Sequence, residues 1–114
     1  MDEKPKSNDP RNNIKMDSIS FADDSVDAGD ILETSISIEN IGEDRLDDVS
    51  VTISIPELGI WVTTAADDIR DGQTDKRTIA LEIPADVAPG VYDVRIIVSN
   101  DDMKRIKHRD ITIN

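Results

Sequence analysis

Apolar and polar residues alternate along much of this chain with a period of two. In the clearest run, one face carries Tyr92, Val94, Ile96 and Val98, and the other carries Asp93, Arg95, Ile97 and Ser99. Because successive side chains of a strand point to opposite faces, the run predicts a half-buried β-strand. Pro89 and Gly90 stand directly before it. They predict a tight turn, since proline fixes its own φ and glycine accepts backbone angles that other residues avoid.

Six further segments alternate or are bounded by turn residues. Together with the first they predict strands over about 14–21, 31–40, 46–55, 60–62, 76–83, 92–98 and 103–113. The first segment changes parity between Met16 and Ile19, which predicts a bulge or a strand that switches sheets. No stretch of helical length carries apolar residues at a spacing of 3.6.

Seven short strands at this spacing predict an all-β protein, a seven-stranded antiparallel immunoglobulin-like sandwich. Tyr92, at the start of a late strand, is typical of the tyrosine corner of such a sandwich. We assign residues 14–114 to the sandwich and residues 1–13, which are polar and rich in proline and asparagine, to a flexible N-terminal linker. Gly42 is expected to adopt a positive φ after a strand, and Trp61 to make a large core or edge contact.

The charge of the chain restricts its partners. Its 25 acidic residues exceed its 13 basic ones and give a formal net charge of -12. This excess argues against nucleic acid and anionic lipid as partners. The chain has no cysteine, which excludes disulfides and thiolate zinc sites. It has no apolar run long enough to insert into a membrane and no signal peptide, so we expect a domain taken from a longer protein.

Catalytic motifs are missing from the sequence. His108 is the single histidine, and no nucleophile elbow, phosphate-binding loop or H-E-x-x-H motif accompanies it. The sequence therefore predicts a protein that is not an enzyme, with no cofactor other than a possible calcium ion.

Aspartates concentrate in the predicted loops, and calcium is the one ligand that they indicate. In a sandwich of alternating strands, the loops of one end would bring together Asp67, Asp68, Asp71, Asp101 and Asp102. Neighbouring carboxylates repel unless they are screened or bridged, and calcium binds six to eight oxygens. No segment fits the D-x-[DN]-x-[DN]-G calcium loop. The alternative is a solvated surface adapted to salt.

The run 104–109 carries four of the basic residues, namely Lys104, Arg105, Lys107 and Arg109. One interpretation is an edge strand protected by charge. The other is docking onto the acidic end of a neighbouring module. The oligomeric state stays open.

Four short motifs follow one another along the chain: Gly29-Asp30, Asn40-Ile41-Gly42, Ser54-Ile55-Pro56 and the stretch from Pro84 to Tyr92. Their order and spacing resemble the immunoglobulin-like modules of archaeal and bacterial surface proteins, among them S-layer proteins, CARDB-type adhesion modules and NEW3-type domains appended to glycosidases. The resemblance implies a β-sandwich at the cell surface or outside the cell, with neighbouring domains or other surface proteins as partners. It transfers no catalytic residues.

Three functions remain open at this stage. The first is a structural or adhesive module that spaces or assembles neighbouring domains. The second is an accessory carbohydrate- or protein-binding module attached to an enzyme, and the third is a cytoplasmic interaction domain. The chain has only three aromatic residues, Phe21, Trp61 and Tyr92, which favours the first function over a glycan site.

Overall fold

The computed structural model describes residues 14–64, 67–101 and 103–114. It contains the strands β1 Ile14–Phe21, β2 Ser25–Val26, β3 Ile31–Asn40, β4 Leu46–Ile55, β5 Ile60–Thr63, β6 Asp67–Ile69, β7 Thr74–Glu82, β8 Gly90–Ser99 and β9 Lys104–Ile113. The predicted linker 1–13 and Asp102 of the predicted calcium set lie outside the described residues.

Two sheets face each other across one core. The smaller sheet has the order β1-β3-β7, and the larger one has the order β2-β9-β8-β4-β5, with β6 on β4. This all-β sandwich confirms the predicted fold class, and the seven predicted strands correspond to β1, β3, β4, β5, β7, β8 and β9. The strand count is nine instead of seven, because β2 and β6 are short strands within segments that read as acidic turns. Of these, β2 runs parallel to the end of β9, so the pairing is not wholly antiparallel.

The change of parity in the first strand is a bulge. The register between β1 and β3 shifts between Met16 and Ser18. Ile14 and Met16 before the shift are buried, and Ile19 and Phe21 after it still pack against the core from partly buried positions. An extra residue in one strand therefore keeps both apolar pairs on the core side, as the sequence predicts.

The core is aliphatic. Val94, Ile96 and Val98 of β8 are fully buried, and so are Val51, Ile53 and Ile55 of the neighbouring β4. Leu32, Ile36 and Ile38 face them from the other sheet. These branched side chains fill the space between the two sheets, and their removal from water is the main favourable contribution to folding.

Two glycines do not behave as predicted. Positive φ occurs at Gly29 (90°), Gly59 (66°) and Gly72 (75°), and neither Gly42 nor Gly90 belongs to this set. The Gly42 N–H instead donates to the side-chain oxygen of Asn40 at 3.0 Å, an Asx turn that reverses the chain without a left-handed residue. Gly90 is already the first residue of β8, where it pairs with Ile113.

Trp61 is not a core residue. Its side chain is 69% exposed, on the four-residue edge strand β5. The neighbours Ile60 and Val62 take the inward positions and pack against the core, which turns Trp61 outward. The prediction of a core contact is wrong, whereas the edge position is correct.

The chain enters and leaves the sandwich at opposite ends. Ile14 pairs with Asn40, which in turn bonds to Gln73, so β1 starts beside the β3–β4 and β6–β7 loops. The last strand finishes at Ile113 opposite Gly90, and the Asn114 N–H donates to Val26 at 2.8 Å. We call these the Asn40 end and the Asn114 end. No helix within the described residues is long and apolar enough to cross a membrane.

Candidate functional site

A tyrosine corner holds the turn that leads into β8. The Tyr92 O–H donates to the carbonyl oxygen of Ala88 at 2.6 Å, and the tyrosine ring is buried. Pro89 stands between the two bonded residues, so a rigid φ and a side-chain bond fix the same turn. This geometry agrees with the interpretation of Tyr92 as the corner of an immunoglobulin-like sandwich.

Asn40 organises the opposite end. Its side chain is fully buried, and its Nδ2 donates to the carbonyls of Asp44 at 2.8 Å and Ile69 at 3.0 Å. Its Oδ1 accepts from Gly42, as described above. Its backbone N–H donates to Gln73 and its carbonyl accepts from Gly72. One buried amide thus ties the β3–β4 loop to the β6–β7 turn, and every polar atom of its side chain has a partner.

The acidic residues of this end line an open depression of about 680 Å³. Asp67, Asp68 and Asp71 share it with Arg45 and Arg70. The structure therefore brings three of the five predicted calcium ligands into one depression, next to two guanidinium groups.

Two of these carboxylates accept from backbone N–H groups of β4 and β6. Asp68 Oδ1 accepts from the N–H of Asp48 at 3.0 Å, and Asp67 Oδ1 accepts from the N–H of Asp68 at 2.9 Å. Asp48 has a φ of 56°, so the first of these bonds supports a residue in left-handed backbone geometry.

Within the described residues, no three aspartate, glutamate or histidine side chains are placed so that they could hold a metal ion. Asp101 lies in the β8–β9 loop and is exposed, and its neighbour Asp102 is one of the residues outside the description. Calcium binding at this end stays a prediction.

The basic residues of β9 reach across to the outer edge of β1. Arg105 Nε donates to the carbonyl of Ile14 at 3.3 Å, and Lys107 Nζ lies 3.5 Å from the carbonyl of Met16. Positive side chains that cover open strand carbonyls are one way in which proteins protect a sheet edge. This arrangement agrees with the interpretation of run 104–109 as a protected edge.

His108 stands on the outer face of the larger sheet. Its Nδ1 lies 2.8 Å from a carboxylate oxygen of Asp93, and both side chains are about half exposed, at 52% and 47%. An exposed pair on a flat sheet face lacks the enclosed, water-excluding geometry of an active site.

Trp61 belongs to a second surface feature, an open groove of about 460 Å³ between the edges of the two sheets. Gly59, Ile60 and Val62 line it from the larger sheet, and Ala80, Leu81 and Glu82 line it from β7. This groove is largely apolar, whereas the depression at the Asn40 end is charged.

Arg77 is a structural residue that the sequence interpretation missed. Its side chain is only 10% exposed, and it donates to the carbonyl of Val49 in the other sheet at 2.9 Å. Asp75 lies 3.0 Å from its Nη2. A signal was present, because Arg77 has the same parity as Ile79 and Leu81, which the alternation turns inward.

The fold and the corner define an immunoglobulin-like β-sandwich. The family model described as "NPCBM-associated, NEW3 domain of alpha-galactosidase" matches residues 26–100, and the chain belongs to this family. No curated protein sequence matches the chain.

Solved structures share the fold at low sequence identity. The CARDB domain of the PF1109 protein from Pyrococcus furiosus, solved in complex with di-metal ions, is 13% identical, with a TM-score of 0.63 and coverage of 100% of both chains. The alkylpurine DNA glycosylase AlkC of Pseudomonas fluorescens, solved bound to DNA, is 13% identical with a TM-score of 0.65, over 89% of this chain and 30% of AlkC. A family 123 glycoside hydrolase from Clostridium perfringens is 16% identical with a TM-score of 0.54, over 78% of this chain and 22% of the enzyme. The chain thus spans less than a third of either enzyme.

Proposed function

We propose that this domain is a non-catalytic accessory module of an extracellular or cell-surface protein, and that it spaces neighbouring domains along one line. The observation that carries the proposal is the position of the termini of the sandwich, with Ile14 at the Asn40 end and Asn114 at the other. Domains joined before residue 14 and after residue 114 would therefore lie at opposite ends. The ten residues of β9 alone separate those ends by roughly 30 Å.

The comparisons support the accessory part of this proposal. The family is described by its association with alpha-galactosidase, and the similar enzymes contain this fold as a minor part of their length. A fold does not define a function, so the argument rests on the absence of an enclosed catalytic arrangement in the described residues as well.

The spacing geometry is measurable in the single chain. Because the protein has no native cysteine, spin labels can be attached at Lys15→Cys and Thr112→Cys, both at exposed positions. Pulsed electron paramagnetic resonance should give a distance of roughly 25–35 Å for this pair, given the rise along β9. The matched pair Lys15→Cys and Lys104→Cys lies at one end and should give a much shorter distance. Equal distances for the two pairs would contradict the in-line geometry.

Carbohydrate binding is the second candidate, and the exposure of Trp61 favours it. An exposed indole beside a groove offers a flat apolar surface on which a sugar ring can stack. Trp61 is the only tryptophan of the chain, so its fluorescence reports directly on this surface.

Titration with galactose and with galactosides, chosen for the enzyme in the family description, tests this candidate. A saturable change in the emission of Trp61, together with loss of sugar binding in Trp61→Ala measured by calorimetry because that variant has no tryptophan, would support it. Emission that stays unchanged at millimolar sugar would remove it and leave the spacing role unaffected.

A further inference from the structure

Three edges of the two sheets are protected, each in a different way. The β1 edge has a bulge, and the side chains of Arg105 and Lys107 cover its carbonyls at Ile14 and Met16. β2 covers only Thr112 and Ile113 at the end of β9, whose remaining edge carries the basic side chains of the run 104–109, and β5 is only four residues long. Bulges, charged side chains, cover and short length are the devices that keep an open edge from pairing with another strand.

The β7 edge is long and regular. All nine of its residues pair with β3 without a register shift, and it contains no proline. It is the last strand of its sheet, and no strand of the described residues lies beyond it. We call this the free β7 edge. The groove that holds Trp61 runs beside its second half, at Ala80, Leu81 and Glu82.

The register with β3 shows which backbone groups face the free β7 edge. Ile83 N–H donates to Asp30 at 2.9 Å, and Asn40 N–H donates to Gln73 at 3.0 Å, one bond at each end of the ladder. Because bonded and non-bonded pairs alternate in an antiparallel ladder, the odd-numbered residues of β7 bond to β3. The even-numbered ones, Thr74, Lys76, Thr78, Ala80 and Glu82, direct their N–H and C=O groups outward.

An antiparallel pair of two free β7 edges is self-complementary in one register. With Ile79 opposite its own copy, Lys76 faces Glu82 of the second copy and Thr78 faces its Ala80. All of these are even-numbered residues, so their outward backbone groups meet as bonded pairs. The side chains of Lys76 and Glu82 are exposed, and this opposite-charge pair occurs twice by symmetry.

Neighbouring registers lose this match. With Thr78 at the centre, Lys76 faces Ala80 and Glu82 faces Thr74, so no charges are paired. With Ala80 at the centre, Lys76 faces Pro84 and Glu82 faces Thr78, so no charges are paired there either. Only the register centred on Ile79 pairs opposite charges, with Lys76 facing Glu82, although Thr74 at the start of β7 then faces Pro84 and lacks a donor there.

We propose that two copies of this domain associate through their free β7 edges, in antiparallel register centred on Ile79, so that their three-stranded sheets become one six-stranded sheet. This association goes beyond the spacing role, because it joins two chains side by side, and neither proposal depends on the other. The net charge of -12 on each copy opposes the encounter, and salt at about 0.15 M limits that repulsion to a Debye length of about 8 Å.

Charge reversal at the two exposed positions tests the proposal. Sedimentation velocity of the wild-type chain, from about 10 μM to about 1 mM in about 0.15 M salt, should show a reversible monomer–dimer equilibrium. Lys76→Glu and Glu82→Lys should each weaken the dimer roughly tenfold or more, because each converts two attractive pairs into two repulsive ones. The double variant Lys76→Glu/Glu82→Lys should restore the wild-type dissociation constant.

Glu82→Lys and the double variant serve as internal controls. Glu82→Lys reduces the overall negative charge, so non-specific repulsion alone would strengthen association in that variant, whereas the proposed pairing weakens it. The double variant keeps the wild-type net charge. Circular dichroism of each variant checks that the monomer still folds.

A wild-type chain that stays monomeric at about 1 mM would overturn the proposal. A dimer whose dissociation constant is unaffected by all three variants would overturn it as well, since its interface would lie elsewhere. Restoration by the double variant is the result that a general loss of stability or a change in net charge does not produce.

Discussion

At the scale of single residues, the polar atoms buried between the sheets control much of the stability of the Asn40 end. The amide of Asn40 has three partners, two in the β3–β4 loop and one at the end of β6, and it is fully removed from water. A buried polar group of this kind costs little while its bonds are complete and costs much when one partner is lost.

Replacing Asn40 by leucine, which has a similar size, should lower the free energy of unfolding by roughly 2–4 kcal/mol, because two carbonyls and one N–H lose their partner. Urea denaturation measures this change. The matched control is Ile41→Ala at the next position, which is half exposed and should change stability by less than about 0.5 kcal/mol. Equal effects for the two variants would mean that the amide network contributes nothing.

Thr34 differs from Asn40, because its buried polar group is not hydrogen-bonded within the described residues. Its side chain is fully buried on β3, and its hydroxyl has no partner among the described residues. Thr34→Val replaces the hydroxyl by a methyl group of similar volume and should stabilise the protein by about 1 kcal/mol.

Thr52→Val is the control for this change, because the Thr52 hydroxyl lies 2.8 Å from that of Thr63 on the outer face. Thermal unfolding should place Thr34→Val above the wild type and Thr52→Val at or below it. A loss of stability in Thr34→Val would show that the hydroxyl does find a partner in solution.

At the scale of the elements, the Tyr92 side-chain bond holds the turn into β8 together with the rigid φ of Pro89. Tyr92→Phe removes only the hydroxyl that donates to Ala88 and should cost about 0.5–1.5 kcal/mol, since the exposed carbonyl can still bind water. Val91→Ala, next to it and 64% exposed, is the control and should be close to neutral. If Tyr92→Phe matches Val91→Ala in denaturant midpoint, the corner contributes no stability.

Alternation along the chain was sufficient to locate the long strands. β1, β3 and β4 have the predicted bounds, because one face of each is buried and the period of two is broken only at the bulge of β1 and between Leu46 and Val49 of β4. β2 and β6 could not be predicted in the same way. They are two and three residues long, and they are strands only because a neighbouring edge pairs with them.

Alternation predicts which way the site residues face but not which groups they bond to. Asn40 and Arg77 occupy inward positions by parity, but their partners are backbone carbonyls of distant loops and of the other sheet, which no local pattern specifies. The size of Trp61 left its position open between core and edge, whereas the alternation of Ile60 and Val62 places it outside. Parity was the better guide in each of these cases.

At the scale of the whole molecule, the acidic residues of the Asn40 end lead to a prediction about calcium binding. If calcium binds there as the sequence predicts, a concentration a hundredfold above the dissociation constant should add about 2.7 kcal/mol to the stability. For a domain of this size that shift raises Tm by roughly 10–20 °C. Thermal unfolding in chelator, in calcium chloride and in potassium chloride of the same ionic strength measures it. An equal rise in the two salts would indicate screening of the carboxylates and would contradict calcium binding.

The in-line arrangement of domains is the central claim, and small-angle X-ray scattering of two copies of residues 14–114 joined directly in tandem tests it most directly. Both copies should carry Glu82→Lys, so that their free β7 edges do not pair. Because each sandwich begins at the Asn40 end and finishes at the Asn114 end, the longest dimension of the tandem protein should be about twice that of the single domain. A tandem protein no longer than one domain, with its two copies side by side, would contradict the proposed spacing role.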